Sequence, residues 1–358
     1  MAPPRRSQES QKRRLTWTGQ DEQLDFERMT NVHYYVHGRG RGHATRSLAV
    51  LRALGQSGYT LQVCAGEDAL PLLRAEFPAQ AVTSLPPRPS TALVGLAAQR
   101  FRDALDSLRR ARPAIVISDG DGPALWAAGV LGIPAVALGR GLIFSHCHRP
   151  AALEADPWHR EAVKAWVSSR GARRFVPVSF APLEPRGPDV HLARPPAPPV
   201  SPPLECARAE TLVCYFRDDN GDEVLRQLVA LGESPLLFGP RDPGIAGVTV
   251  QAIERQSFLA ALSRARAVIA SAGSQLLGEA VALGIPIFGV YAPDDDEQAM
   301  NVAMLRLHGV GDGRVVTDCG RDELQAFLAR IGAQGFQRLR WAAPDVARVV
   351  IEQVAALA

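Results

Sequence analysis

Lysine is almost missing from this chain of 358 residues: among 40 basic residues only Lys12 and Lys164 are lysine, a skew that reads as codon bias rather than chemistry. Charge of one sign is also missing. The 40 basic residues face 37 acidic ones, for a formal net charge of +3. Arg5, Arg6, Lys12, Arg13 and Arg14 against Glu9 supply about +4 of it from the first fourteen residues. The body is therefore close to neutral, which excludes a nucleic-acid partner recognised through a basic field. Cysteine is sparse. Cys64, Cys147, Cys206, Cys214 and Cys319 are scattered without a CxxC or paired spacing, which speaks against a disulfide framework or zinc site and for a reducing compartment. Long apolar runs are missing too. The longest, residues 124–139, is interrupted by Gly129, Gly132 and Pro134, and residues 1–28 hold no apolar stretch of a secretory signal. A cytoplasmic protein with peripheral membrane contact at most is the expectation.

What is present is alternation. Residues 1–28 are polar and aperiodic and read as a disordered tail ending before Met29. Short β-rich runs then alternate with helical periods, at 32–36, 60–64, 114–118 and 134–138, a pattern of parallel βαβ units. Residues 182–203 carry nine prolines, too many for sheet or helix interior, and 182–208 reads as a stiff linker. A second α/β series follows, with strands expected at 211–215, 235–238, 248–250, 267–270 and 286–290 and a terminal helix over 336–358. The domains expected are thus 29–181 and 209–335. In doubly wound sheets ligands bind where the strand carboxyl ends meet a cleft.

The first candidate element is Gly38-Arg39-Gly40-Arg41-Gly42-His43, between strand and helix. Gly38, Gly40 and Gly42 would let backbone N–H groups approach an anion or a sugar. The run departs from a dinucleotide fingerprint, because His follows it and no acidic residue ends the second strand. His43 would start the helix, where the dipole favours a neutral ring able to take a proton. Asp119 ends the strand IVISD on the same rim and could hold the His43 tautomer. Capping the helix near Pro123 is its plainer use. The second element is Ser271-Ala272-Gly273-Ser274-Gln275, whose helix start would offer N–H donors to a diphosphate, with Glu279 one turn on. Asp294-Asp295-Asp296 reads as a solvated run and not a metal site, and Asp218-Asp219-Asn220-Gly221-Asp222 as a turn.

Taken in order, GRGRGHATRSL, ISDGDGPALWAAGVLGIP and FLAALSRARAVIASAGSQLLGEAVALGIPIFGV with DEQAMNVAML resemble a GT-B nucleotide-sugar glycosyltransferase of the family 28 and UDP-glycosyltransferase group. The likeness runs from residue 30 to the C-terminus. It implies an α/β fold of two Rossmann-like domains facing a cleft, and a metal-independent hexosyl transfer from a nucleotide sugar, UDP-linked, to an acceptor hydroxyl. It implies His43 as base with Asp119 as partner, and no cofactor. It also implies donor contacts from Gly273, Ser274, Gln275, Glu279, Glu297, Gln298 and Asn301. Apart from the resemblance, Arg217 or Arg241 would assist the departing diphosphate. Ser271 stands where the UDP-glycosyltransferases have a phosphate-binding His, and Phe216-Arg217-Asp218 replaces the peptidoglycan enzyme's Gly-Gly-Ser. The acceptor would be set by residues 85–100 and 140–170. Two alternatives stay open. One is a nucleotide-sugar hydrolase on the same fold, whose G-x-G-H loop carries an Arg three residues on, as Arg46 does. The other is a protein that binds nucleotide sugars without turnover.

Overall fold

The computed structural model describes residues 30–38, 41–85, 91–199, 211–217, 221–333 and 335–358. The expected tail, Gly40, Cys206 and residues 218–220 lie outside the described residues, as do 200–210. Two six-stranded sheets form, every pair parallel. In the first half β1 (Asn31–Val36), β2 (Thr60–Ala65), β3 (Ala79–Ala81), β4 (Ile115–Asp119), β5 (Ala135–Gly139) and β6 (Arg174–Pro177) lie in the order 3-2-1-4-5-6. In the second, β7 (Leu212–Tyr215), β8 (Leu236–Phe238), β9 (Thr249–Gln251), β10 (Ala267–Ser271), β11 (Ile287–Tyr291) and β12 (Gly311–Val315) run 12-11-10-7-8-9. The two halves thus repeat one doubly wound topology. Each has its crossover reversal between its first and fourth strands, β1/β4 and β7/β10, and a crevice opens at those carboxyl ends.

Helices follow most strands. Those that frame the crevice are α1 (Arg41–Gln56), α4 (Gly122–Leu131), α9 (Ser274–Leu283) and α10 (Asp296–Leu307); α2 (Ala69–Arg74), α3 (Thr91–Ala111), α5 (Leu142–His146) and α6 (Ala155–Ser168) complete the first half. The second half adds α7 (Asp222–Ala230), α8 (Arg255–Leu262) and α11 (Arg321–Gly332). The central strands are buried on both faces because helices cover both. Ile143, Phe144, Trp158 and Phe180 of the first half share one core with Val268, Leu277 and Met304 of the second. An apolar seam therefore fastens the halves on one side of the crevice.

Three strands escaped the sequence pattern. β3 and β6 are short edge strands, and β12 is GDGRV, which reads as a turn. There, Gly311 and Gly313 lie so close to the β11 carbonyls of Ile287 and Gly289 that a Cβ would not fit. Tight approach, not turn chemistry, asks for those glycines.

Two expectations need correction. The first half does not end at residue 181, where the stiff linker was expected to begin. The first part of the proline-rich stretch lies along the sheet edge, where Phe175 N–H donates to Asp189 O and Ala193 N–H to Pro177 O. Ala193 is buried in the first-half core. The C-terminal helix is also shorter than 336–358. It is α12 (Val346–Ala355), begun after Pro344 and capped by Asp345, whose side chain accepts from Ala347 N–H at 2.8 Å. Val346, Val349, Val350 and Val354 pack into the first half, so the chain end crosses back between the two halves.

Candidate active site

His43 lies in the first turn of α1, directly after β1, and Asp119 is the last residue of β4, the strand paired with β1. Parallel pairing brings both to one rim, and their side chains meet there, with His43 Nδ1 2.7 Å from Asp119 Oδ1. A carboxylate only accepts, so Nδ1 carries the hydrogen and Nε2 is the lone-pair nitrogen of the neutral ring. Asp119 is fully buried, and the His43 side chain is 29% exposed. The dyad thus has an inner end and an outer end.

Asp119 does not cap α4. Asp121 does, its carboxylate accepting from Ala124 N–H at 3.2 Å while it pairs with buried Arg100. Freed from that role, Asp119 accepts from Arg46 Nε at 2.9 Å and Nη2 at 2.5 Å, and from Ser47 Oγ at 3.0 Å. Burial alone would raise its pKa, but the Arg46 charge and the hydrogen bonds from His43 and Arg46 overcome this and hold the carboxyl well below the ordinary range. Arg46 Nη2 also stands 3.2 Å from His43 Nδ1. Both are donors, so the two groups share Asp119 Oδ1 rather than bond to each other.

The glycines serve close approach. Gly38 and Gly42 are absent from the positive-φ residues. A Cβ at Gly38 would collide with Gly66 and Ser84, and one at Gly42 would come within 3.3 Å of Gln275 Cβ across the crevice. Gly120, by contrast, has φ +80°, and a Cβ there would fall 2.9 Å from His43 Cε1. That turn makes the seat of the imidazole. Sequence reading passed over it because the requirement comes from a ring seventy-seven positions earlier.

In the second half the β10 end and α9 start form the opposite wall. Gly273 N–H is committed to Ser271 O at 2.7 Å. Gly273 is therefore the N-cap and not itself a free donor, and the N–H groups of Ser274, Gln275 and Leu276 are those a helix start leaves without an intrahelical acceptor. Arg217 N–H donates to Ser271 Oγ at 3.0 Å, tying the β7 and β10 ends together, whereas Arg241 pairs with Asp222 at 3.1 Å. Glu279 is buried, held by Arg255 at 2.6 and 3.1 Å and by Gln275 Nε2 at 2.9 Å.

On α10, Glu297 acts through space on Arg46 and Arg140. Gln298 Nε2 donates to Asp295, the helix N-cap, leaving its Oε1 buried without a partner. Asn301 stands apart from them. It is fully buried, its Nδ2 donates to Ala272 O at 2.9 Å, and its Oδ1 accepts from Arg140 Nε and Nη2. It bridges the halves. The carboxylate run is likewise in use: Asp295 caps α10 and Asp296 makes a two-point pair with Arg160 of the first half. Arg140 and Arg160 were missed because nothing in their local sequence marks a contact more than a hundred positions away. Among the described residues no helix is long and apolar enough to cross a membrane.

The same architecture recurs in solved glycosyltransferases. MurG of Acinetobacter baumannii is 18% identical, with 91% of this chain and 99% of that one covered and a TM-score of 0.66. SnogD of Streptomyces nogalater is 17% identical, covering 92% and 100%, with a TM-score of 0.60. VinC, solved in complex with dTDP, is 17% identical, covering 92% and 99%, also at 0.60. These likenesses fix the fold as GT-B. No curated protein matches in sequence. Residues 90–332 match the family described as glycosyl transferase family 1. With that match spanning most of the chain, from α3 of the first half through the whole second sheet, the protein belongs to glycosyl transferase family 1.

Proposed function

We propose that this glycosyltransferase moves a sugar from a nucleoside-diphosphate sugar, UDP-linked, to an acceptor hydroxyl, with His43 as the base and no metal ion in the reaction. The observation that carries the reading is the 2.7 Å contact of His43 Nδ1 with buried Asp119, which leaves Nε2 as the proton acceptor at the partly exposed end of the dyad. As the acceptor oxygen attacks the anomeric carbon, its proton passes to Nε2, the glycosidic bond to the diphosphate breaks, and Asp119 stabilises the imidazolium formed. The α9 start faces the same crevice and would stabilise the departing diphosphate through its N–H groups. Asp295 and Asp296 are engaged as a cap and an ion pair, which supports a leaving group stabilised without a cation. Gln275 Oε1 and Gln298 Oε1, both buried without partners, support donor contacts on this wall. The dTDP bound by VinC supports a nucleoside diphosphate as the class of ligand.

A second reading is favoured by Arg46. Its place three residues beyond His43, bonded to Asp119, matches the loop of nucleotide-sugar hydrolases, in which water takes the acceptor's position. Mass spectrometry of the purified protein with a panel of nucleotide sugars, with and without acceptor alcohols, decides. A glycoside formed only with acceptor supports transfer. Free sugar released at the same rate without acceptor supports hydrolysis, and no turnover with measurable binding supports a binding protein.

A further inference from the structure

Among the described residues of the first half three arginines are buried: Arg46, Arg100 and Arg140. Two have a carboxylate in direct contact, Asp119 for Arg46 and Asp121 for Arg100. Arg140 has none among the described residues. Its Nε and Nη2 both donate to one neutral acceptor, Asn301 Oδ1, at 3.1 and 2.5 Å, and Nη2 also meets Met304 Sδ at 3.3 Å. Its guanidinium carbon lies 5.6 Å from the Phe144 ring centre and 5.2 Å from that of Phe180. Nη1 is buried and bonds to nothing. Burial pushes the Arg140 pKa down to about 10, so the group stays charged at neutral pH.

A buried cation without a bonded anion is costly, and folded proteins normally pair it. Its position suggests what supplies the missing charge. Arg140 follows Gly139, whose Cβ position lies 3.7 Å from Asp119 Oδ1 and 3.9 Å from Arg46 Nη2, so the chain leaves the sheet beside the dyad. From there it crosses to α10, where Glu297 on the first turn acts on it only through space. Arg140 therefore lies within electrostatic reach of both Arg46, beside the dyad, and Glu297 on α10.

Resting on the nucleotide-sugar reading above, we infer that Arg140 is an anion-binding residue lent by the first half to the donor, its free Nη1 taking an anionic oxygen of the nucleotide sugar. That oxygen belongs either to the diphosphate or to a carboxylate on the sugar. Either source would make donor binding depend on both halves. It would also link donor occupancy to the Arg140–Asn301 bridge, the buried polar contact across the seam.

The test is calorimetric titration of the full-length protein with UDP, UMP, UDP-glucose and UDP-glucuronate, using wild type, Arg140→Gln and Arg140→Lys. A diphosphate contact predicts that Arg140→Gln weakens UDP at least tenfold and UMP less than threefold, as loss of a charge-assisted hydrogen bond would. A sugar carboxylate predicts instead that only UDP-glucuronate loses tenfold, removing its advantage over UDP-glucose. Arg140→Lys, which keeps the charge but not the fork, should recover part of either loss. The melting temperature of unliganded Arg140→Gln shows whether loss of the Asn301 bridge has disturbed the fold. Should that variant fail to fold, Arg140→Lys carries the test through a threefold to tenfold loss. Unchanged affinity for all four ligands in a folded variant overturns the inference alone. Wild-type protein that binds none of them overturns the nucleotide-sugar reading, and this inference with it.

Discussion

Arg46 grips both oxygens of Asp119, at 2.5 and 2.9 Å, so the carboxylate on which His43 leans is itself locked in place from behind. The dyad is therefore part of a triad of side chains, and its members differ in position. His43 is the outer, partly exposed end and the proposed base. Asp119 and Arg46 form a buried pair that belongs to the core as much as to the chemistry.

Substitutions should separate those roles. His43→Ala should lower turnover by about a hundredfold or more, the usual scale for loss of a general base, with nucleotide affinity nearly unchanged. Asp119→Asn should lower stability as well, by about 3–5 kcal/mol, because it leaves Arg46 buried without its counter-charge. Urea denaturation beside activity assays checks both. Equal stability of the two variants would contradict the buried-pair assignment.

Gly120→Ala tests the imidazole seat. The added methyl meets His43 Cε1 at 2.9 Å in a backbone conformation, φ +80°, that alanine rarely adopts. Turnover should drop more than tenfold while nucleotide affinity holds. Wild-type turnover in Gly120→Ala would show that the ring's position is not critical.

Glu279→Ala should weaken nucleoside-diphosphate binding about tenfold and change the rate of the bound complex little. A ribose contact acts equally in ground and transition states. Calorimetry beside saturation kinetics reads the two separately; undiminished affinity would leave Glu279 only its structural contacts with Arg255 and Gln275.

Activity should survive chelation by EDTA. Abolition by EDTA and rescue by manganese would return the chemistry to Asp294-Asp295-Asp296, against their use as cap and ion pair.

Stability should depend on pH through His33. This residue is fully buried in β1 with both ring nitrogens unpartnered, and burial lowers its pKa from 6.5 to about 4. The folded state resists protonation that the unfolded chain accepts below about pH 6.5. Stability from this group is therefore complete above that pH and falls as pH drops toward 4. At pH 5 the loss is about 2 kcal/mol. His33→Leu should shrink the difference between urea midpoints at pH 7 and pH 5 by that amount. An unaltered difference would assign the acid sensitivity to other groups.

The sequence by itself determined what is local or what parallel topology makes inevitable. Strands such as IVISD and AVIAS and the helix beginning at Ser274 are written in short-range apolar periodicity. The meeting of His43 with Asp119 follows from two strand ends on one rim of a parallel sheet, so it could be anticipated across 76 positions. Only the tertiary structure decided which neighbours those groups share. Nothing near Asp119 in sequence tells that Asp121 takes the cap and Arg46 the carboxylate. Asn301 fits a donor-contact motif, yet its amide serves the seam, because Arg140 arrives there from 161 positions away. The return of Val346–Ala355 to the first half, the tight glycines of β12 and the unpaired charge of Arg140 have the same origin. Each depends on distances between segments that approach only when both sheets are built and packed. A linear pattern records what a residue prefers, whereas its partner is chosen by the fold.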